Sequence, residues 1–427
     1  MDDKTPSTPI HSDKGAVGGD FRPIEKIPAD ELSRRHGLVR RFLADVAPDA
    51  GGILVFSRVN IYYLSGTLAA GIFWLPLEGE PVLLLRRGAG RARLESTIEH
   101  QGTYRSFGDA ARTLSDFGSP LAGKIACEMD GLPWSLGAKL EKSFKDVEMA
   151  PGGQALLMAR SRKTDWELAK MRRAGEMHKA CLERLLPDRI RPGMTERDCA
   201  VKAWELFFQH GHSGLMRMGA FGEEIFLGHV SAGDSGNYPS AFNGPLGLRG
   251  DSPAVPFMGN ANIIWDGERP LSCDIGFNFE GYHTDKTSVY WGPDGEIPAE
   301  AARAHDFCVR VQNWVAENAV PGATPADLYR PCAEWAAKEG FENGFMALDE
   351  NKVPFVGHGI GLVIDEYPPL AERFDEPLEA GMCLAVEPKI GIPGLGMVGT
   401  ENTFEVREGG AICLTGENFE ILRTHRY

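Results

Sequence analysis

The sequence has no run of 18 apolar residues, no Cys-x-x-Cys pair and no excess of basic charge. The first absence excludes the usual pattern of a membrane-spanning helix. The second removes the paired-thiol signature of zinc and redox sites. The third weighs against nucleic acid or an anionic membrane as partner, because 45 Lys and Arg stand against 60 Asp and Glu, a formal net charge of -15. An apolar segment near the start is lacking too. "MDDKTPSTPIHSDKGAVGGD" is polar, acidic and rich in Gly, Pro and Ser, so no signal peptide is expected there. The eight cysteines are scattered, most among apolar neighbours as in "LSCDIG" and "MCLAVE". They read as free buried thiols in a reducing compartment, and the chain is expected to be cytoplasmic.

What is present has the composition of a globular protein, 43% apolar and 25% charged over 427 residues. Residues 1–25 are expected to form a disordered tail. From 26 to 155, helix-like spacing in "ADELSRRHGLVRRFLADV" alternates with strand-like runs such as "GGILVFS" and "EPVLLLRR", an α/β pattern. "MAPGGQ" (Met149–Gln154) has loop composition and marks a boundary. A second domain then runs over 160–427. In it, "KTDWELAKMRRAGEMHKACLERLL" is an amphipathic helix that Thr164 can cap, with Glu167 three residues on. Two segments, "RPGMTERDCAVKAWELFFQHG" and "VPGATPADLYRPCAEWAAKEG", share Pro-Gly-x-Thr-x-x-Asp before a helix. Thr195 and Thr324 are expected to cap, with Asp198 and Asp327 reaching back. The repeat suggests two α/β halves within one domain.

Chemistry concentrates in three segments of this domain. In "PLSCDIGFNFEGYHTDKTSVYWG", two strand-like runs flank the turn-like "NFEG". A turn centred on Phe279 and Glu280 places Asp274 opposite Asp285. Directly opposed residues have Cβ atoms about 4.5–5.5 Å apart, and two carboxylates that close repel unless a proton or metal lies between them. In "MCLAVEPKIGIPGLGMVGTENTFEV", a turn centred on Gly394 places Glu387 opposite Glu401. Between the two hairpins, "FVGHGIGLVIDEYP" carries His358 and, seven residues on, Asp365. Each of these residues alone reads as a solvated strand-end charge or a structural histidine. Together, four carboxylates in apolar strands and one imidazole form a ligand set for two divalent ions about 3.5–4 Å apart.

At these residues the sequence resembles the pita-bread metallopeptidases, in the aminopeptidase P, prolidase and creatinase branch. "CDIGFNFEGYHTD" is similar to the family's Asp–x10–Asp segment, "GHGIGL" to its metal-histidine motif, and "VEPKIG…GTEN" to its two-glutamate segment. "NIYYLSG" (Asn60–Gly66) resembles the N-terminal domain of the same branch. The resemblance implies an α/β creatinase-like N-terminal domain. It also implies an α+β pita-bread catalytic domain, with helices over a curved, mostly antiparallel sheet. It implies that Asp274 chelates one ion, His358 and Glu387 bind the other, and Asp285 and Glu401 bridge. Glu387 would also be the general base, and a metal-bound hydroxide would attack the amide carbonyl. Mn is the first choice of ion, with Co, Fe or Zn tolerated, and a homodimer is expected.

Three features of the resemblance are missing. Prolidase-type members usually carry histidines where this chain has Asp365 and Asn243, and often Arg where it has Gly399. Asp365 is therefore read as binding a cationic substrate group or as a spectator. His229, in "FLGHVSAG", lies 129 residues before His358, the same offset as the helix repeat. It reads as the other half's counterpart facing the site, or as a buried strand-end histidine. His283 is expected on the opposite side of its strand from Asp285. The simplest implied activity is an Xaa-Pro aminopeptidase or dipeptidase. Alternatives are C–N hydrolysis or a lyase step on a small metabolite, and a binding protein that kept the fold without catalysis. "GDSG" (Gly233–Gly236) and "RRGAGRA" (Arg86–Ala92) are read as turns, not as a serine-protease or a dinucleotide motif.

Overall fold

The computed structural model describes residues 25–220 and 222–426. The expected tail, but for its last residue, lies outside the described residues. The chain divides into two units, Met1–Arg160 and Ser161–Tyr427. Among the described residues no helix is long and apolar enough to cross a membrane.

The first unit is built on a six-stranded mixed sheet. Its strands are β1 (Gly52–Val55), β2 (Gly71–Pro76), β3 (Val82–Leu85), β4 (His100–Thr103), β5 (Gly123–Cys127) and β6 (Val147–Pro151), in the order β4-β3-β2-β1-β5-β6. Short apolar runs such as "VLLL" are buried along their whole length, as expected of strands covered on both faces. The helix Ala29–Val46 buries Leu32, Val39, Phe42 and Leu43 on one stripe. Met149–Gln154 is not a loop. Met149–Pro151 complete β6, paired in parallel with Ile125–Cys127, and Gly153 opens the helix Gly153–Ser161. Gly152 is needed between them, because a Cβ there would lie 2.8 Å from that of Ala126. The division of the chain, between Arg160 and Ser161, falls at the end of this helix.

The second unit is mostly antiparallel and falls into two matching halves. The first half has β7 (Gly228–Ala232), β8 (Leu271–Phe279) and β9 (Tyr282–Trp291), and the second has β10 (Gly357–Gly359), β11 (Cys383–Val386) and β14 (Asn402–Glu405). Between β11 and β14 lies the ribbon β12 (Lys389–Ile392) and β13 (Gly396–Gly399); β15 (Ile412–Cys413) and β16 (Leu422–Arg423) close the edges. The sheets run β16-β9-β8-β7 and β10-β11-β14-β15. They join where Thr287 N–H donates to Glu401 O, at 3.2 Å.

A helix pair accompanies each half. Thr164 and Thr195 both form the expected capping boxes, with Glu167 and Asp198. Thr324 accepts from Asp327 N, but the Asp327 carboxylate turns to Arg330 instead of reaching back. Each half has its own core. Cys199, Ala203 and Phe207 pack with Val230, Ile275 and Phe277 in the first. In the second, Ala304, Phe307 and Val311 pack with Leu384, Val386 and Val398. All eight cysteines are free, and every one but Cys413 is buried.

Candidate metal centre

The turn between β8 and β9 sets the positions of the aspartates. Its central residues are Glu280 and Gly281, with φ of 49° and 93°. Two consecutive positive-φ residues make the two-residue turn whose twist matches antiparallel strands. Phe279 therefore pairs with Tyr282, Asp274 with Thr287, and Gly276 with Asp285. The expected face-to-face pairing of Asp274 with Asp285 is thus corrected. The turn lies one residue later than expected, and the aspartates become diagonal neighbours on one sheet face.

Around the second hairpin, the pairs Lys389–Gly399 and Val386–Asn402 flank Glu387 and Glu401 on both sides, in the register expected. His358 lies at the centre of β10, between two glycines that the packing requires. A Cβ at Gly357 would lie 2.2 Å from Ala385 O, and one at Gly359 2.3 Å from Tyr367 O. The histidine is thus clamped between close backbones. Its Nδ1–H donates to Gly359 O at 2.9 Å, which leaves the Nε2 lone pair facing the carboxylates. From Nε2 the distances are 3.5 Å to Asp365 Oδ1, 3.6 Å to Glu387 Oε1 and 4.0 Å to Glu401 Oε1.

Two sets of ligand atoms lie within 4.8 Å of one another: Asp285, His358 and Glu401, and Asp274, Glu387 and Glu401. All five residues of the expected ligand set come together, with Glu401 shared. Asp365 belongs to neither set. Its side chain is 31% exposed and lines the cleft above, with Asn243. That cleft, about 70 Å³, has apolar walls that include Met216, Met218, Ile225 and Ile364.

Burying like charges so close perturbs them. Burial and the neighbouring Asp274 charge push Asp285 up to about 8. Burial also raises Glu387, and raises Glu401 strongly with help from Asp285. Burial disfavours the His358 cation, but Asp365, Glu387 and Asp285 outweigh it and raise that group. Without an ion the cluster therefore holds protons, the response expected of carboxylates built to share a cation.

The sequence reading missed Lys389. Its side chain is buried, and Nζ donates to Glu387 Oε2 at 2.9 Å and to Glu401 Oε2 at 2.7 Å, with Asp274 Oδ2 at 3.2 Å. Its charge holds Asp274 below the usual carboxylate range against the upward effect of burial. The signal was present in "VEPKIG": a lysine two residues after Glu387 in an apolar strand shares its face.

Three other residues are settled by geometry. His229 lies in β7 directly opposite Asp274 and lines the cleft. Its Nδ1–H donates to Leu246 O at 3.1 Å, and its buried Nε2 has no hydrogen-bond partner. Burial lowers it more than Asp274 raises it, so it is a neutral acceptor at Nε2. His283 is two residues from Asp285 and so lies on the same side of its strand, not the opposite one. It is buried, held by Arg217 N–H at Nε2 and by Gly361 O at Nδ1. Gly399 has no room for a side chain, since a Cβ would lie 2.4 Å from Pro388 O. Of the two turn motifs, Gly233–Asn237 forms a short 3-10 turn, and Gly88 precedes the helix Ala89–Glu95 in a left-handed conformation.

Both units of the chain are similar to known proteins. Residues 169–408 match the model of metallopeptidase family M24, and residues 38–162 that of the creatinase/prolidase N-terminal domain. The probable dipeptidase PepE of Mycobacterium tuberculosis is 26% identical over 418 residues, covering 93% of this chain and 98% of its own. The Xaa-Pro dipeptidase of Pyrococcus furiosus is 25% identical over 378 residues, covering 87% and 94%. The fold matches the solved structure of the Xaa-Pro dipeptidase from Bacillus anthracis with a TM-score of 0.74 at 21% identity, over 92% of this chain and 99% of that one.

Proposed function

The chain belongs to metallopeptidase family M24, and we propose that it hydrolyses the amide bond of a short peptide, as an Xaa-Pro dipeptidase does. The observation that carries this reading is the pair of ligand sets, Asp285, His358 and Glu401 with Asp274, Glu387 and Glu401, that share Glu401 at the base of a cleft. Asp285, His358 and Glu401 fit a divalent ion, since the imidazole presents a lone pair and no cation of the chain bonds to Asp285 or His358 among the contacts described. A divalent ion there supplies a Lewis acid for the carbonyl and makes water acidic enough to ionise near neutral pH. A carboxylate-rich set with one imidazole suits Mn.

The chain's own groups do the rest. Glu387, raised by burial, takes the proton of the attacking water at Oε1, the oxygen not bound to Lys389. The apolar walls at Met216, Met218 and Ile225 take up the apolar ring or side chain of the substrate and exclude water. Asp365 receives its cationic group, and His229 Nε2 accepts a hydrogen bond from it or from water. Turnover of a panel of Xaa-Pro dipeptides and tripeptides by Mn-loaded protein tests the reading. No turnover in a fully metallated sample rejects it. That result would favour C–N hydrolysis or a lyase step on a small metabolite, as Asn243 and Asp365 stand where imidazole donors would hold a peptide.

A further inference from the structure

The second ligand set already holds a cation. We propose that Lys389 is a built-in substitute for the second metal ion, so that the centre takes a single divalent ion at Asp285, His358 and Glu401. The inference rests on the metallohydrolase reading above and sharpens it.

An ammonium group has three N–H donors and no acceptor. At Lys389 they meet three carboxylates, Asp274, Glu387 and Glu401, which are the members of the second ligand set. The oxygens divide cleanly. The Oε1 atoms of Glu387 and Glu401 face His358 Nε2, while their Oε2 atoms face Lys389. Glu401 Oε2 also accepts the Thr287 hydroxyl at 3.0 Å. Two donors thus occupy its two lone pairs, and none remains for a second ion. Divalent ions lie about 2.0–2.6 Å from their oxygen ligands. An ion taking the same three oxygens would occupy the space of the ammonium itself.

The lysine has no route out. Its side chain is 1% exposed, and it is enclosed with β12, every residue of which is buried. Its partner across the ladder is Gly399, where a Cβ would lie 2.6 Å from Lys389 Cα. Moving the ammonium elsewhere would leave a buried charge without partners. Charge balance points the same way. With one ammonium and one divalent ion, the four carboxylates leave a centre of minus one; a second ion would make it plus one in a dry interior.

The test is equilibrium dialysis of the full chain against saturating Mn(II), with metal analysis and electron paramagnetic resonance. The expected result is one Mn per chain, with the spectrum of an isolated ion. Lys389→Ala opens the second set, so uptake doubles and the spectrum becomes that of a coupled pair. Lys389→Arg stays at one. If Lys389→Ala fails to fold by circular dichroism, Asp274→Asn decides, because Asp274 is a member of the lysine's set alone and its loss must leave uptake at one. Two Mn per chain in the natural sequence, uptake that stays at one in a folded Lys389→Ala, or a fall in Asp274→Asn overturns the proposal and leaves the metallohydrolase reading standing. No Mn in either the natural chain or Lys389→Ala overturns both.

Discussion

Replacing Asp365 with Asn removes one negative charge from the cleft and leaves its shape. The carboxylate lies 3.5 Å from His358 Nε2 but outside both ligand sets, with 31% of its side chain exposed. A substrate ammonium about 4 Å away interacts by about 1 kcal/mol in bulk water and about 4 kcal/mol at an effective dielectric near 20. Partial exposure favours the lower half, about 1–3 kcal/mol, which agrees with the worth of a hydrogen bond to a charged group. The expected loss in kcat/KM is therefore about 10–100-fold for a dipeptide with a free amine. It falls mainly on KM, while an N-acetylated analogue loses little. Mn content should hold. Among the charges around His358, Asp365 raises its proton affinity most, so the substitution lessens proton competition at Nε2. Steady-state kinetics on both substrates, with metal analysis on the same samples, read all three quantities. Equal losses on blocked and free substrates would refute the role in amine binding. A parallel fall in Mn would show that Asp365 belongs to the ion's surroundings.

Three further outcomes follow from the centre. His358→Ala should weaken Mn binding by at least about 100-fold, given that even outer groups around metal ligands cost 10–100-fold, while circular dichroism stays unchanged; dialysis with metal analysis checks it. Glu387→Gln should lower kcat by about 10²–10⁴-fold, the usual contribution of a general base, with Mn retained, as read by single-turnover kinetics at saturating substrate. The third concerns pH. Asp285, Glu387, Glu401 and His358 are all raised in the metal-free fold. Groups raised on folding stabilise the native state below their unfolded values, and that stability is lost as pH rises through the folded ones. Burial lowers His36, His178, His212, His229, His283 and His305, which adds stability as pH rises through the ordinary histidine value. Above that value the raised groups decide, so metal-free protein should melt at lower temperature as pH climbs from about 7 through the Asp285 value of about 8. Mn should bind tighter over the same interval, by up to about tenfold per pH unit for each proton displaced. A melting temperature that rises with pH across that upper interval in the metal-free protein would contradict these shifts.

Much of the catalytic unit was legible because its signals are local. Thr164 and Thr195 cap where Ser/Thr-x-x-Asp/Glu spacing says they should. The repeated Pro-Gly-x-Thr segments announced two halves, and the halves appear as two four-stranded sheets, each with its histidine strand at one edge. Signals that depend on partners elsewhere were weaker. Asp327 had the same spacing as Asp198, yet an arginine one turn on, Arg330, captures its carboxylate. Met149–Gln154 had loop composition, but a parallel neighbour turns Met149–Pro151 into an edge strand. The aspartate hairpin was placed one residue early because Glu280 accepts a positive φ that composition alone assigns to glycine. The error was harmless for the site. A turn shifted by one residue moves the pairing by two, and side chains in strands repeat every two residues, so both carboxylates stay on the face that needs them.

Lys389 escaped the reading for a different reason. Comparison with a family pattern proceeds position by position, and at position 399 it registers only the loss of an arginine. The ladder relates 399 to 389, and the two must be read together. Position 399 has no space for any side chain, because Pro388 O and Lys389 Cα lie where a Cβ would stand. Position 389, directly across the ladder, carries the cation instead and delivers it to Asp274, Glu387 and Glu401. A missing positive charge and an unexpected one are therefore two ends of a single arrangement. If that arrangement sets the number of ions, metal stoichiometry in this chain follows from a strand pairing as much as from the five ligands, which a ligand count alone would put at two.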